Sequence, residues 1–225
     1  MKFQKTICLT LSATLFLSGC ASTGDPLKDK ENNDTALRCA AFGIGGAIVG
    51  KLVGGNSGAA KGAIAGLAAC AIIEIASRQT KSANEVDRQY KATNRNQLPP
   101  SAKVDSYMSV VTPNGVAKAG DPIRTQSTIR VVSGTQEPIQ EVKEVFVAFA
   151  PDGSEFKRGE KKVNDYGGSG EYENSFTLKL PQGAPQGIYR LTTQVFVNGR
   201  ASGLKETSMQ VATIANGTTV AMLDR

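Results

Sequence analysis

A glycine recurs at every fourth position of one apolar tract, and this spacing constrains the fold more than any other feature of the sequence. The tract runs from Cys39 to Ala76, and its ladder consists of Gly46, Gly50, Gly54, Gly58, Gly62 and Gly66. Residues four apart share one face of an α-helix, so the glycines let a second helix pack closely. Each glycine inside a soluble helix costs about 0.5–1 kcal/mol relative to alanine. The ladder is therefore typical of a helix-packing surface.

Turn-forming residues at 54–58 divide the tract into two parts. They predict two helices, near 37–53 and 59–77, that are joined by a tight loop and run antiparallel. We expect this helical hairpin to lie in or against a membrane and to pack through its glycines. A buried hairpin in a soluble protein is the alternative interpretation.

The charges of the predicted hairpin lie outside its central part. Lys51 and Lys61 meet at the tip, and the spans 39–50 and 62–73 carry no charge. Each span is about 18 Å long at 1.5 Å per residue, whereas a hydrocarbon core is about 30 Å thick. The short spans favour assembly of several copies over crossing by a single hairpin, and Lys51 and Lys61 are candidates for contact with lipid phosphates.

Two cysteines lie on opposite arms of the hairpin. In the antiparallel register, Cys39 and Cys70 fall within about one helical turn of each other. An oxidising compartment would permit a disulfide between them, and two buried reduced cysteines are the alternative. Two thiols without any His cannot complete a zinc site, so no metal is expected.

The first 19 residues have the three parts of a secretory signal. Lys2 and Lys5 precede an apolar run at 7–17, which is too short to span a membrane, and small residues follow. The run ends in the motif Leu17, Ser18, Gly19 and Cys20. An ordinary signal peptide that ends near a cysteine is the alternative to the motif's more specific interpretation.

This motif resembles a bacterial lipobox. The resemblance implies that signal peptidase II recognises Leu17, Ser18 and Gly19 and cuts before an acylated Cys20. Ala21 and Ser22 follow where an aspartate would favour the inner membrane, so the resemblance implies an outer-membrane location. With the glycine ladder, the motif also resembles the glycine-zipper lipoproteins grouped with the rickettsial 17-kDa surface antigen, which implies envelope association without enzymatic activity.

The sequence after the hairpin changes from helical to alternating periodicity beyond Pro99 and Pro100. A polar segment up to that point predicts a linker or helical stalk, with Val86 and Tyr90 on one face. Turn signals then separate seven predicted strands, which are typical of a β-sandwich. These strands are Asp105–Thr112, Ile123–Val132, Val142–Ala150, Ser154–Arg158, Glu171–Leu180, Gly187–Asn198 and Ala201–Thr213.

The segment Leu180–Leu191 resembles the late corner of immunoglobulin-like bacterial domains, where a tyrosine follows a Pro/Gly turn. The resemblance implies that Tyr189 is in the core with its hydroxyl bonded back to the loop. It concerns a fold and no function. An immunoglobulin-type disulfide is excluded, because no Cys follows residue 70.

The predicted fold class is α+β in separate regions, a glycine-zipper helical hairpin followed by an all-β immunoglobulin-like sandwich. The expected divisions are a signal peptide at 1–19, a polar tether at 20–36, the hairpin at 37–77, a linker or stalk at 78–103, the sandwich at 104–214 and a tail at 215–225.

The composition argues against an enzyme. The chain contains no His, and its net charge of +6 is spread out, so neither a common catalytic base nor a nucleic-acid patch is evident. Carboxylates in the second half fall near turns and are interpreted as exposed charge. The basic segment 157–162 is interpreted as a solvated hairpin, with a lipid surface as its alternative partner.

The expected function is that of a non-enzymatic, cofactor-free outer-membrane lipoprotein that acts as an envelope scaffold. Its expected partners are membrane lipid, further copies of itself and an envelope protein. The sandwich would lie in the periplasm. The alternative is an adaptor or binding module of an envelope secretion, pilus or assembly machine, which strand edges could serve.

Overall fold

A computed structural model describes residues 62–212 of the chain. A first helix, α1, covers 62–70, and a second, α2, covers Ala83–Thr93. The nine strands are β1 Ile72–Lys81, β2 Lys103–Thr112, β3 Val116–Lys118, β4 Pro122–Val132, β5 Val142–Phe149, β6 Glu155–Lys162, β7 Gly170–Lys179, β8 Gly187–Val197 and β9 Arg200–Ala212.

The strands form two sheets that pack as a sandwich. The four-stranded sheet has the order β1-β7-β4-β2, and the five-stranded sheet has the order β3-β9-β8-β5-β6. All neighbouring strands are antiparallel except β3 and β9, which are parallel. Between β2 and β3 the chain crosses from one sheet to the other at residues 113–115. The β-sandwich that the sequence predicts is thus present.

Alternating apolar residues build the core between the sheets. On β7, for example, Tyr172, Phe176 and Leu178 are buried, as is the polar Asn174 in the same alternation, whereas Glu173, Ser175 and Thr177 are partly exposed. The rings of Phe146 on β5 and Phe176 on β7 stack across the sandwich with their centroids 5.2 Å apart. This alternation is what two-sheet packing requires, since successive side chains of a strand point to opposite faces.

All seven predicted strands are present, and the structure adds two. The added strands are β1 and the short β3. The turn between β8 and β9 lies at Asn198–Gly199, and both residues have the positive φ that a tight hairpin requires. The prediction for Tyr189 is also confirmed, because this buried residue donates its hydroxyl to the Pro185 carbonyl at 2.8 Å.

The predicted second helix, near 59–77, differs from the structure in its last part. Helix α1 ends at residue 70, and residues 72–77 belong to β1. Strand β1 pairs antiparallel with β7 over its whole length. Ile72, Ile73 and Ile75 are β-branched, which favours a strand, and β7 offers an edge on which that strand is hydrogen-bonded.

The polar segment predicted as a linker or stalk lies against the sandwich. It contains the end of β1 and helix α2, whose Val86 is fully buried and whose contacts are with β4 and β7. The sequence left a linker or a helical stalk open for this segment. The structure has helix α2 over part of it, and this helix is not continuous with α1 because β1 stands between them.

Candidate functional site

Only part of the predicted site falls within the described residues. Gly62, Gly66 and Cys70 all lie on α1. Outside the described residues lie the predictions for Leu17, Ser18, Gly19, Cys20, Cys39, Gly46, Gly50, Lys51, Gly54, Gly58 and Lys61. What the structure describes is therefore the last part of the glycine ladder and the sandwich to which it connects.

Helix α1 is part of the sandwich core. Leu67 is 1% exposed and Ala71, directly after the helix, is 2% exposed, and both belong to the apolar cluster around Phe146 and Tyr189. Ile64 and Ala68 pack against the same cluster. The helix therefore contributes apolar side chains to the sandwich core, whereas the sequence predicted it in a separate region.

The glycines of α1 lie on the helix face away from this core. At about 100° per residue, Gly62 and Gly66 fall opposite Leu67 and Ile64. Ala65 and Ala69, which flank the glycine face, are exposed. One face of the helix is thus docked on the sandwich, and the other presents small residues.

The end of α1 has two further connections. Cys70 is disulfide-bonded, and its partner lies outside the described residues, so the pairing with Cys39 stays a prediction. The ammonium of Lys157 on β6 donates to the Ala68 carbonyl at 3.4 Å, where the partial negative charge of a helix end favours a cation.

A layer of polar side chains crosses the middle of the sandwich. Glu144 on β5 is fully buried, and its Oε1 accepts a hydrogen bond from Tyr107 at 2.7 Å. Its Oε2 accepts one from Asn174 Nδ2, also at 2.7 Å. Tyr107 Oη lies 2.6 Å from Thr193 Oγ1. These groups separate the apolar cluster around Phe146 from a second cluster that includes Ile129, Tyr172 and Val195.

Burial shifts the ionisation of this layer. Removal from water raises the pKa of Glu144, although hydrogen bonds from Ser127, Asn174 and Tyr107 oppose the rise. Burial, and then the charge of Glu144, raise the pKa of Tyr107. Among the described residues no group donates to Asn174 Oδ1 or pairs with Ser77 Oγ, although both atoms are buried. The layer is thus a buried hydrogen-bonded network inside the sandwich.

The outer face of the four-stranded sheet carries ion pairs and a shallow depression of about 240 Å³. Arg78 and Gln126 both donate to Glu173 beside this depression. Further along, Glu171 accepts from Lys81 at 3.1 Å and from Arg130 at 2.8 Å, and hydrogen bonds from these two cations lower its pKa against the effect of burial. The carboxylates are thus held in ion pairs.

The remaining carboxylates near turns have local roles. Asp152 accepts hydrogen bonds from the amide and hydroxyl of Ser154, and Glu155 pairs with Arg158 at 2.8 Å. No group of metal-ligating side chains occurs within 62–212. Over the same residues, neither helix has the length and apolar character needed to cross a membrane.

The N-terminal third of the chain is similar to a known protein family. Residues 1–77 match the family described as YMGG-like Gly-zipper, so the match includes α1 and the first half of β1. A Gly-zipper region suggests a membrane-associated protein. No curated protein matches the chain.

Several solved structures are similar to the sandwich. The CARDB domain of the PF1109 protein from Pyrococcus furiosus, solved with di-metal ions, is 13% identical, with a TM-score of 0.34 over 52% of this chain and 94% of that one. The C-terminal domain of wzt is 10% identical, with a TM-score of 0.36 over 56% and 87%. A family 123 glycoside hydrolase from Clostridium perfringens is 13% identical, with a TM-score of 0.36 over 64% and 27%. Such low similarity says nothing about function.

Proposed function

We propose that this chain is an outer-membrane lipoprotein that scaffolds the bacterial envelope. In this proposal Cys20 carries the acyl anchor, the glycine ladder lies against the membrane, and the sandwich, with helix α1 packed on its core, is held in the periplasm. Acyl chains on one residue together with an apolar hairpin supply two membrane signals, and stable anchoring generally needs two.

The observation that carries the proposal is the docking of α1. Because Leu67 and Ala71 belong to the sandwich core, the glycine helix is fixed to the sandwich and not loosely tethered. The face with Gly62 and Gly66 points away from that core. We propose that this face packs against other glycine helices, so that assembly in the membrane orders the attached sandwiches.

We propose no enzymatic activity and no cofactor. Support comes from the absence of His in the sequence and from the enclosure of Glu144 among Tyr107 and Asn174. Of the carboxylates that were interpreted as exposed charge, Glu155 is paired with Arg158 near a turn, whereas Glu171 is buried and paired with Lys81 and Arg130. These arrangements suit a structural module.

Membrane fractionation of the full chain in a diderm bacterium tests the proposal. We expect the wild type to carry an acyl label, to fractionate with the outer membrane and to resist extraction by alkaline carbonate. Cys20→Ala should lose the label but stay partly resistant, because the hairpin remains. Gly50→Leu and Gly62→Leu should keep the label and lose native oligomer size. An unlabelled wild type that carbonate releases completely would overturn the proposal.

A further inference from the structure

Strand β2 is a free edge of the four-stranded sheet. Among the described strands it pairs with β4 alone, along all of Lys103–Thr112 apart from a shift near Asp105. An edge strand of this length presents a row of unpaired backbone N–H and C=O groups, which another strand can satisfy.

The edge of β2 lacks the charges that usually protect such strands. Residues 106–112 are uncharged, and on the outward face Met108 is 59% and Val110 is 63% exposed. Strand β6, an edge of the five-stranded sheet, is by contrast highly charged. It carries Lys157, Arg158, Glu160, Lys161 and Lys162. Charged side chains on an edge strand disfavour pairing with another chain, whereas an uncharged edge with exposed apolar residues favours such pairing.

We propose that β2 pairs edge to edge with β2 of a second copy of this chain. The chain has a net charge of +6, so two copies repel over much of their surfaces, and residues 106–112 allow approach without contact between like charges. In an antiparallel pair centred on Ser109, Met108 of one copy stands opposite Val110 of the other. The paired four-stranded sheets become one continuous eight-stranded sheet.

This interface is small. Each copy contributes one strand edge and two exposed apolar side chains, which is far below the about 800 Å² per partner of a stable complex. Free copies are therefore expected to pair weakly. Copies held on one membrane experience an effective concentration of about millimolar, which favours pairing without further contacts. This step rests on the proposed membrane anchoring.

Cysteine crosslinking of the full chain on vesicles tests the pairing. A mixture of Met108→Cys and Val110→Cys chains should form dimers on mild oxidation if the pair is centred on Ser109. A pair centred one residue away instead links Met108→Cys, or Val110→Cys, to itself. The matched control is Leu204→Cys, which is 60% exposed on the other sheet, and the wild type gives the background from its own cysteines.

We expect at least fivefold more dimer from the β2 cysteines than from Leu204→Cys. Adding Val110→Lys to Met108→Cys chains should abolish this excess without unfolding, because Val110 is exposed. Vesicle flotation is measured on the same samples. If chains float but the β2 cysteines give no more dimer than the control, pairing is overturned and anchoring stands. If chains fail to float, anchoring fails, and pairing is then judged by the same crosslinks at millimolar protein in solution.

Discussion

Glu144 is a carboxyl group at a core position, between the buried residues Val142 and Phe146 of β5. A buried carboxylate costs free energy unless hydrogen bonds or a cation compensate it. Tyr107 and Asn174 supply hydrogen bonds and no cation. Stability should therefore depend on whether Glu144 is protonated.

The sign of this dependence follows from the raised pKa of Glu144. The folded state holds the proton more tightly than the unfolded chain, so the contribution is complete below the unfolded carboxyl pKa of about 4.3 and is lost as pH rises through the folded pKa. We predict that the wild type loses about 1–3 kcal/mol of unfolding free energy relative to Glu144→Gln across this range. Urea unfolding followed by circular dichroism at a series of pH values measures the difference.

The control for this prediction is Ser208→Ala, at an exposed position of β9 that carries no titratable group. Its pH profile should run parallel to that of the wild type. Parallel profiles for Glu144→Gln and the wild type would contradict the prediction, because they would mean that Glu144 titrates alike in the folded and unfolded states.

For single residues, the sequence predicts the buried position of Tyr189 but not that of Glu144. The Pro/Gly turn before Tyr189 is a local signal, and the residue's buried hydroxyl bond follows from it. The strand around Glu144 has apolar residues on both faces, for example Val145 and Phe146. The sequence pattern therefore does not show which face of the strand is buried. Only the pairing of strands places Glu144 in the core.

Among the elements, β1 shows how tertiary pairing overrides local preference. Its first residues continue an apolar helical pattern, and the Gly-zipper match extends to residue 77. The β-branched Ile residues favour a strand without excluding a helix, and pairing with β7 fixes the strand by supplying backbone hydrogen bonds. Strand β7 lies about a hundred residues away in sequence, so no local sequence pattern indicates that β1 pairs with it.

A disulfide trap distinguishes strand from helix over 72–77. Ala76 and Ser175 are cross-strand partners in the β1–β7 register. We predict that Ala76→Cys with Ser175→Cys forms an intramolecular disulfide in most of the folded chains, as judged by mobility and mass after alkylation. Ala76→Cys with Thr128→Cys, two strands away, is the control and should not form one. Equal yields from the two pairs would contradict the strand assignment.

Helix α1 should contribute to the stability of the sandwich. We predict that Leu67→Ala lowers the free energy of unfolding by about 2–5 kcal/mol, because it leaves a cavity in the core shared with Tyr189. The chain has no Trp, so circular dichroism of the β-structure is the measurement. Ala65→Ser, on the exposed side of the helix, should change stability by less than about 0.5 kcal/mol. Similar effects of both substitutions would mean that α1 is not part of the folded unit.

For the whole molecule, the sequence predicts the sandwich but not the packing of helix α1 against its core. Period-two alternation and turn residues recur along this part of the chain, so the strands between 103 and 212 can be predicted from the sequence. The contact of Leu67 with the core depends on the shape of the assembled sandwich. Composition and local periodicity carry no information about that shape.

The order of α1 and β1 along the chain determines how this molecule would respond to force. Cys70 at the end of α1 is disulfide-bonded to a cysteine earlier in the chain, so tension from an N-terminal anchor reaches Cys70 and then the edge strand β1, before any strand flanked on both sides by others. Release of residues 71–81 as extended chain would supply about 36–37 Å of contour length at about 3.3–3.4 Å per residue. The remaining strands of both sheets would stay paired. The junction thus combines a stiff spacer at rest with an extensible link under load.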